Sequence, residues 1–420
     1  MKEKANVDNI GRWIEGMNAF NSTPEFGTTR ILFTKPEIKN REYVKSQMRN
    51  LGLDIHEDAI GNIFACLKGT NAHLTPVWTG SHIDTVPNAG KFDGMAGVVC
   101  GMEALRMIKE SKESHIRDIM VNVYTSEEPT RYGLSCLGSR AMSGDLTIAD
   151  TKTLVDMGGK SLYQKLQELD YDIDKFKEIK KEKGSVYATV ELHIEQNNRL
   201  EKADKPIGVV KKICAPSNYR VQVYGCQSHA GGTDMYERRD AYAAACEMSL
   251  CLEKLAKECE SEYNTATIGC IEVVPNAVNV IPGKADFSID IRDCNMDSKQ
   301  QLIKKLYSEY DRIAKKRGVT YEVTEENNDI PLTCNPKIVH MIEQICEEQE
   351  MSYEEMISGP YHDSLFIGRF APTAMIFVPS KDGISHSPEE YTSYEQLAAG
   401  TEILAETLLK LANDNSDLEA

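Results

Sequence analysis

The chain has 420 residues, which at ordinary domain sizes means two or three domains rather than one small core. Hydrophobic residues make up 41% and charged residues 27%, as in soluble globular proteins. Lys and Arg number 48 against 65 Asp and Glu, and the resulting net charge of −17 argues against a nucleic-acid partner. The opening residues lack an apolar signal core and no run reaches membrane-spanning length, so the expectation is a cytoplasmic protein with no membrane partner. The 12 Cys include no C-x-x-C pair and read as reduced thiols.

In chain order, residues 76–80 read as a buried strand. Residues 94–111 place apolar groups at Met95, Val98, Val99, Met102, Leu105 and Ile108, which is helical spacing. Residues 119–125 are the next buried strand, and strand–helix–strand predicts a parallel sheet with right-handed crossovers. The middle of the chain changes character. Residues 219–225 alternate as a strand, 240–257 is an Ala- and Leu-rich helix, and 266–274 and 285–293 are strands around Pro282-Gly283. Leu302, Leu306, Tyr310 and Ile313 mark a helix over 298–316, and 319–326 closes as a strand. The order β-α-β-β-α-β is the ferredoxin-like pattern. The α/β character then returns, with a helix at 336–349, a strand at 373–380 and a closing helix at 394–412. The expected fold is α/β, with a discontinuous catalytic domain (1–211 and 327–420) and an inserted α+β domain (212–326).

Five polar clusters sit at strand ends or a helix start, where open α/β sheets bind ligands. They contain His82 and Asp84, then Asp93, then the adjacent Glu127 and Glu128, then His193 with Gln196, and last His386. Imidazole and carboxylate together suit zinc or manganese. Two neighbouring cations require a bridging carboxylate, and Asp93, short and at a helix start, suits that place. Asp84 is expected to orient the second ring nitrogen of His82. Consecutive residues leaving a strand point apart, so one of Glu127 and Glu128 can ligate while the other takes a proton from water. A lone H-x-D or E-E pair is ordinarily surface chemistry, and it is the combination that points to a two-metal hydrolase. His56, His73, His115 and His340 lack such settings and read as surface histidines.

With these residues in view, GSHIDTVPNAGKFDG, TSEEPTRYGLSCLGSRAMSG, VELHIEQ, SHAGGTD, NAVNVIPGKADFSIDIRD, YHDS and DGISHSPEE resemble the hydantoinase/carbamoylase-type amidases of the aminoacylase and carboxypeptidase metallohydrolase superfamily. The resemblance runs from about residue 10 to residue 410. It implies a zinc-peptidase-like catalytic domain with a ferredoxin-like lid and dimerisation domain. It implies that His82, Asp93 and His193 hold one divalent ion and Asp93, Glu128 and His386 the other, with Mn²⁺ or Zn²⁺ expected and Co²⁺ or Ni²⁺ also suited. Glu127 would be the general base, with Asp84 beside it. The histidine at His193, where peptidase branches carry a carboxylate, implies cleavage of ureido rather than peptide nitrogen. The substrates so implied are small ureido carboxylates such as N-carbamoyl amino acids, allantoate and ureidoglycolate. The stretches around Tyr361 and Glu127 resemble most the branch acting on ureidoglycolate. Arg292 and Asn279 would meet the substrate carboxylate, and Gln196, Tyr361 and His362 would line the substrate site. His229 would reach from one subunit's small domain toward the other subunit's site, which implies a homodimer paired through 212–326. The chain departs from the usual family pattern at Asn197, Asp234, Pro360 and Tyr361. A dipeptidase or N-deacylase of the same superfamily is the rival reading.

Overall fold

A computed structural model describes residues 3–418. The chain forms two compact units. One comprises residues up to Lys211, Cys334–Met356 and the chain from His362 onward; the other comprises Lys212–Thr333 and Ile357–Tyr361. Residue 326, the expected end of the insert, falls within the strand Thr320–Asn328.

In the first unit the strands lie in the order Asp54–Glu57, Ile63–Leu67, Ile119–Tyr124, Val77–His82, Ala188–Ile194, Thr373–Val378 and the strand beginning at Ile207. The expected parallel pairing holds for the four central strands, from Ile119–Tyr124 to Thr373–Val378. The flanks are antiparallel. On one flank the cause is local. Asp58 Oδ1 accepts from the backbone N–H groups of Ile60 and Asn62, which closes a tight turn and returns the chain antiparallel. The central strands are buried along their whole length. Their near-continuous apolar sequence follows, since a parallel sheet is covered on both faces. The helix Met95–Ser111 packs closely enough that a Cβ at Gly97 would lie 2.4 Å from the Leu192 carbonyl oxygen. The helix Tyr394–Asn413 begins at a Ser393–Gln396 capping box.

The second unit is a five-stranded antiparallel sheet. Ile271–Val274, Lys284–Asp293, Ala215–Tyr224 and Thr320–Asn328 follow one another, and Asn264–Thr267 also pairs with Lys284–Asp293. The helices Ala241–Lys257 and Met296–Arg317 supply Met248, Leu302, Leu306 and Tyr310 to a core shared with Val221, Phe287 and Ile291. The single strand expected over 266–274 is interrupted. Thr267 pairs with Asp290 and Ile271 with Phe287, so Ile268, Gly269 and Cys270 face only Ser288 and Ile289. This is a one-residue bulge, placed at a glycine.

Two histidines differ from the surface reading. His115 is buried, and His56 stacks on Phe64 with ring centroids 4.6 Å apart, because its edge strand pairs over that ring. Among the described residues no helix is long and apolar enough to cross a membrane.

Candidate active site

Four adjacent parallel strands deliver the first unit's polar residues to one edge of its sheet. Val77–His82 ends on His82, Ile119–Tyr124 leads to Glu127 and Glu128, Ala188–Ile194 carries His193, and Thr373–Val378 leads to His386. Three of the loops that follow hold a non-glycine residue in the left-handed region: Ser126 at φ 57°, Gln196 at φ 56° and His386 at φ 55°. Such strain persists where the surroundings fix it, and it gathers at functional sites.

Asp93 is the centre of the cluster. Its Oδ1 lies 3.2 Å from His193 Nε2 and 3.8 Å from His82 Nε2, while Oδ2 lies 3.1 Å from His386 Nε2. His386 Nε2 is also 3.4 Å from Glu128 Oε1. The two strand histidines are oriented alike. His82 Nδ1 donates to the Asp84 carbonyl at 3.0 Å and His193 Nδ1 to the Ile194 carbonyl at 2.9 Å, which turns each Nε2 toward Asp93. Two residue groups could therefore hold a cation, His82–Asp93–His193 and Asp93–Glu128–His386, and they share Asp93. A third, Glu191–His193–His362, is less suited. Both Glu191 oxygens are already hydrogen-bonded, one to the Ser81 hydroxyl and the other to the Ser364 hydroxyl and N–H.

Asp84 has a different task from the one expected. Its carboxylate is 3.7 Å from His82 Nδ1, whose proton goes to the Asp84 backbone instead. The carboxylate accepts from the N–H groups of Glu127, at 3.3 Å, and Glu128, at 3.1 Å. It thereby fixes the turn that points those two side chains apart. Glu127 Oε2 lies 3.9 Å from His82 Nε2, and its Oε1 lies 3.8 Å from the Cys136 thiol.

The charges fit this arrangement. Burial pushes the Glu128 carboxyl up to about 8, with Asp93 adding to the effect, and pushes Glu390 up to about 7 and Asp84 up to about 6. Burial and the charge of Glu128 drive Glu127 well above the usual carboxylate range. Burial holds His82 down at about 4. The hydrogen bond to Asp93 raises His386 to about 9. Burial opposes charge on His193, but the hydrogen bond and charge of Asp93 outweigh it and hold that imidazole at about 9. So many buried carboxylates need protons or cations to neutralise them. A mixed imidazole and carboxylate donor set, with one carboxylate reaching both groups, fits two divalent ions.

Gly94 makes this packing possible. It sits at φ 69°, and a Cβ there would lie 2.4 Å from the His82 ring. Gly94→Ala is expected to displace His82, lowering bound metal in elemental analysis and lowering the melting temperature.

Three further buried carboxylates lie behind the cluster. Glu390 is buried, and its Oε1 accepts from the N–H groups of Phe92 and Asp93, each at 3.0 Å. Asp363 is buried and accepts from the Ser139 hydroxyl. Glu191 stands behind His193. All three lie inside motifs that carry the resemblance, Glu191 in VELHIEQ, Asp363 in YHDS and Glu390 in DGISHSPEE.

Gln196 reaches Ser385, the neighbour of His386, and the His362 ring lies 4.5 Å from that of His193. The other expected substrate contacts belong to the second unit. His229 pairs with Val280, and Ala230 N–H donates to the Asn279 carbonyl, so His229 and Asn279 are neighbours on one short ladder. His229 Nδ1 accepts from Gly231 N–H at 3.0 Å, which places its proton on Nε2. The guanidinium of Arg292 lies 5.7 Å from the Tyr361 ring centroid and donates to both oxygens of Asp290, at 3.0 and 3.1 Å. Asp290 was not expected there.

The covered α/β sheet thus carries at this edge an acidic, histidine-bearing cluster that could hold cations. The chain belongs to peptidase family M20/M25/M40, whose description matches residues 78–410. It is 40% identical over 407 residues to the ureidoglycolate hydrolase of Arabidopsis thaliana, covering 96% of this chain and 86% of that one. Among solved structures it is similar to AtUAH in complex with (S)-hydroxyglycine, with a TM-score of 0.87, 39% identity and 98% of each chain covered. It is also similar to a hydantoinase/carbamoylase family amidase from Burkholderia multivorans, with a TM-score of 0.88, 29% identity, and 98% of this chain and 99% of that one covered.

Proposed function

We propose that the chain is a dinuclear metal-dependent amidohydrolase. Its reaction is cleavage of the carbamoyl C–N bond of a small ureido carboxylate, with release of ammonia and carbon dioxide. The substrate is ureidoglycolate or an N-carbamoyl-L-amino acid, with allantoate as the alternative. The observation that carries this reading is the division of Asp93 between two ligand groups, with Glu127 beside His82. His82, Asp93 and His193 hold one ion, and Asp93, Glu128 and His386 the other, either Mn²⁺ or Zn²⁺ with Co²⁺ or Ni²⁺ suited as well. When bound, the ions supply Lewis acidity toward the ureido carbonyl and acidify water.

The chain's own residues do the rest. Glu127 Oε2 takes the proton from water and returns it to the departing nitrogen. Asp84 keeps the Glu127 peptide in place throughout. Water adds at the ureido carbon, ammonia leaves, and the carbamate that remains breaks down to carbon dioxide and an amine. His229 from the small domain of one subunit polarises the scissile carbonyl in the other subunit's site through Nε2–H. Arg292 and Asn279 hold the substrate carboxylate, the former in bidentate fashion, and Tyr361 and His362 shape the pocket. Met235, Tyr236, Ile271 and Val278 stand exposed on the second unit and support pairing of two chains there.

The family's peptidase designation favours one other reading, a dipeptidase or N-deacylase. Ammonia release from ureidoglycolate, allantoate and several N-carbamoyl-L-amino acids, with Mn²⁺ or Zn²⁺ supplied, is the test, alongside dipeptides and N-acetyl amino acids. Turnover confined to the last two classes overturns the proposal.

A further inference from the structure

Glu390 and Ser385 make a hydrogen-bonded chain with a direction. Glu390 Oε1 accepts from the N–H groups of Phe92 and Asp93, and Oε2 accepts from the Ser385 hydroxyl at 2.8 Å. In that contact the Ser385 hydroxyl is the donor, so its proton is committed to Glu390. Ser385 Oγ then faces its other neighbour as an acceptor. That neighbour is the Gln196 carboxamide, which offers Nε2 at 3.2 Å. The two ends of a carboxamide look alike in shape, and it is this polarity that tells them apart. With Nε2 engaged, Oε1 is the end left over, and among the described residues no hydrogen bond to it is formed. The Gln196 backbone is held as well: its N–H donates to Ser380 Oγ at 3.0 Å and its φ is 56°. Backbone and side chain are therefore both fixed, on a loop leading from His193 and against the residue preceding His386.

We propose that Glu390 and Ser385 are positioning residues that hold the Gln196 carbonyl oxygen as an acceptor for an N–H group of the substrate. The inference rests on the ureido reading above and deepens it. A ureido group ends in NH₂, which donates. An acyl group of the same shape ends in methyl, which leaves the acceptor unsatisfied. A site built around a hydrogen bond rejects the analogue that lacks the donor far better than an apolar pocket rejects one extra methyl. The relay thus supplies discrimination between ureido and acyl substrates. In the same network Glu390 holds the turn that carries Asp93, so substrate recognition and the bridging ligand share one anchor.

The measurement is the ratio of kcat/KM for N-carbamoylglycine to that for N-acetylglycine, taken on metal-loaded wild type, Ser385→Ala, Ser385→Thr and Glu390→Gln. Bound metal is assayed in each. Ser385→Ala frees the carboxamide to turn over and is expected to lower the ratio by about 10-fold or more, with metal content unchanged. Ser385→Thr keeps the hydroxyl and is expected to restore the ratio. Glu390→Gln puts a donor opposite Ser385 and is expected to lower the ratio as Ser385→Ala does. If both activities of Ser385→Ala fall in parallel, or neither changes, the relay is merely structural and the proposal is overturned. Should Glu390→Gln not fold, the two Ser385 variants decide the matter. A wild type that prefers N-acetylglycine overturns the ureido reading, and this inference with it. A wild type that prefers the ureido compound beside an unchanged Ser385→Ala ratio overturns this inference alone.

Discussion

Glu127→Gln is expected to lower turnover by roughly 10²- to 10⁴-fold while bound metal stays at the wild-type level. Gln has the shape of Glu but cannot carry a proton from water to the leaving nitrogen. The turn that presents the side chain does not depend on the carboxylate. Asp84 holds its N–H, and its carbonyl accepts from Cys136 N–H at 2.9 Å. The proposed ligand atoms of Asp93, Glu128 and the three histidines are also left in place. A Glu127→Gln protein that turns over at a near-wild-type rate with full metal would show that the base lies elsewhere. A variant that loses its metal would instead make Glu127 a ligand.

Asp93→Ala is expected to remove both ions together. One Asp93 oxygen serves His82 and His193 and the other serves His386, so no residue pair left behind reproduces either group. Loss of an outer partner of a ligand already costs about 10- to 100-fold in metal affinity, and loss of a shared ligand should cost more on each side. Elemental analysis should find less than one ion per chain where two are expected in the wild type, with activity lost and not recovered by added Mn²⁺ or Zn²⁺. Chelation of the wild type should abolish activity in a way that added metal does reverse. Retention of one ion by Asp93→Ala would mean that the two groups are independent and that Asp93 is not their bridge.

The central fold is legible because its strands are short apolar runs bounded by polar turns. Residues 119–124 and 373–378 read as strands for that reason, and their covered faces explain why they do not alternate. The helices 94–111 and 394–412 announce themselves by spacing and, in the second case, by a Ser-x-x-Gln capping box. The antiparallel flanks are not legible in the same way, since strand direction depends on which element the returning chain meets. The bulge opposite Ser288 depends likewise on register between segments about twenty residues apart.

The candidate site shows the same division. His82, Glu127, Glu128, His193 and His386 can be singled out in the sequence because they lie where an apolar run gives way to polar residues after a strand, and Asp93 because it stands at a helix start. Hydrophobic periodicity and motif order determine that list, and with it the chemistry of the donor set. Glu390 reads as a surface acid in Ser-Pro-Glu-Glu-Tyr, yet it is buried against the backbone of Asp93, 297 positions away. Asp84 reads as the partner of the His82 ring, yet its carboxylate holds the Glu127–Glu128 turn. Which oxygen of Asp93 meets which histidine, and which end of Gln196 meets Ser385, were decided only in the folded chain. The physical reason is that hydrogen bonds and ion pairs act over about 3 to 4 Å between atoms, and only the tertiary structure brings residues so distant in the chain to that separation.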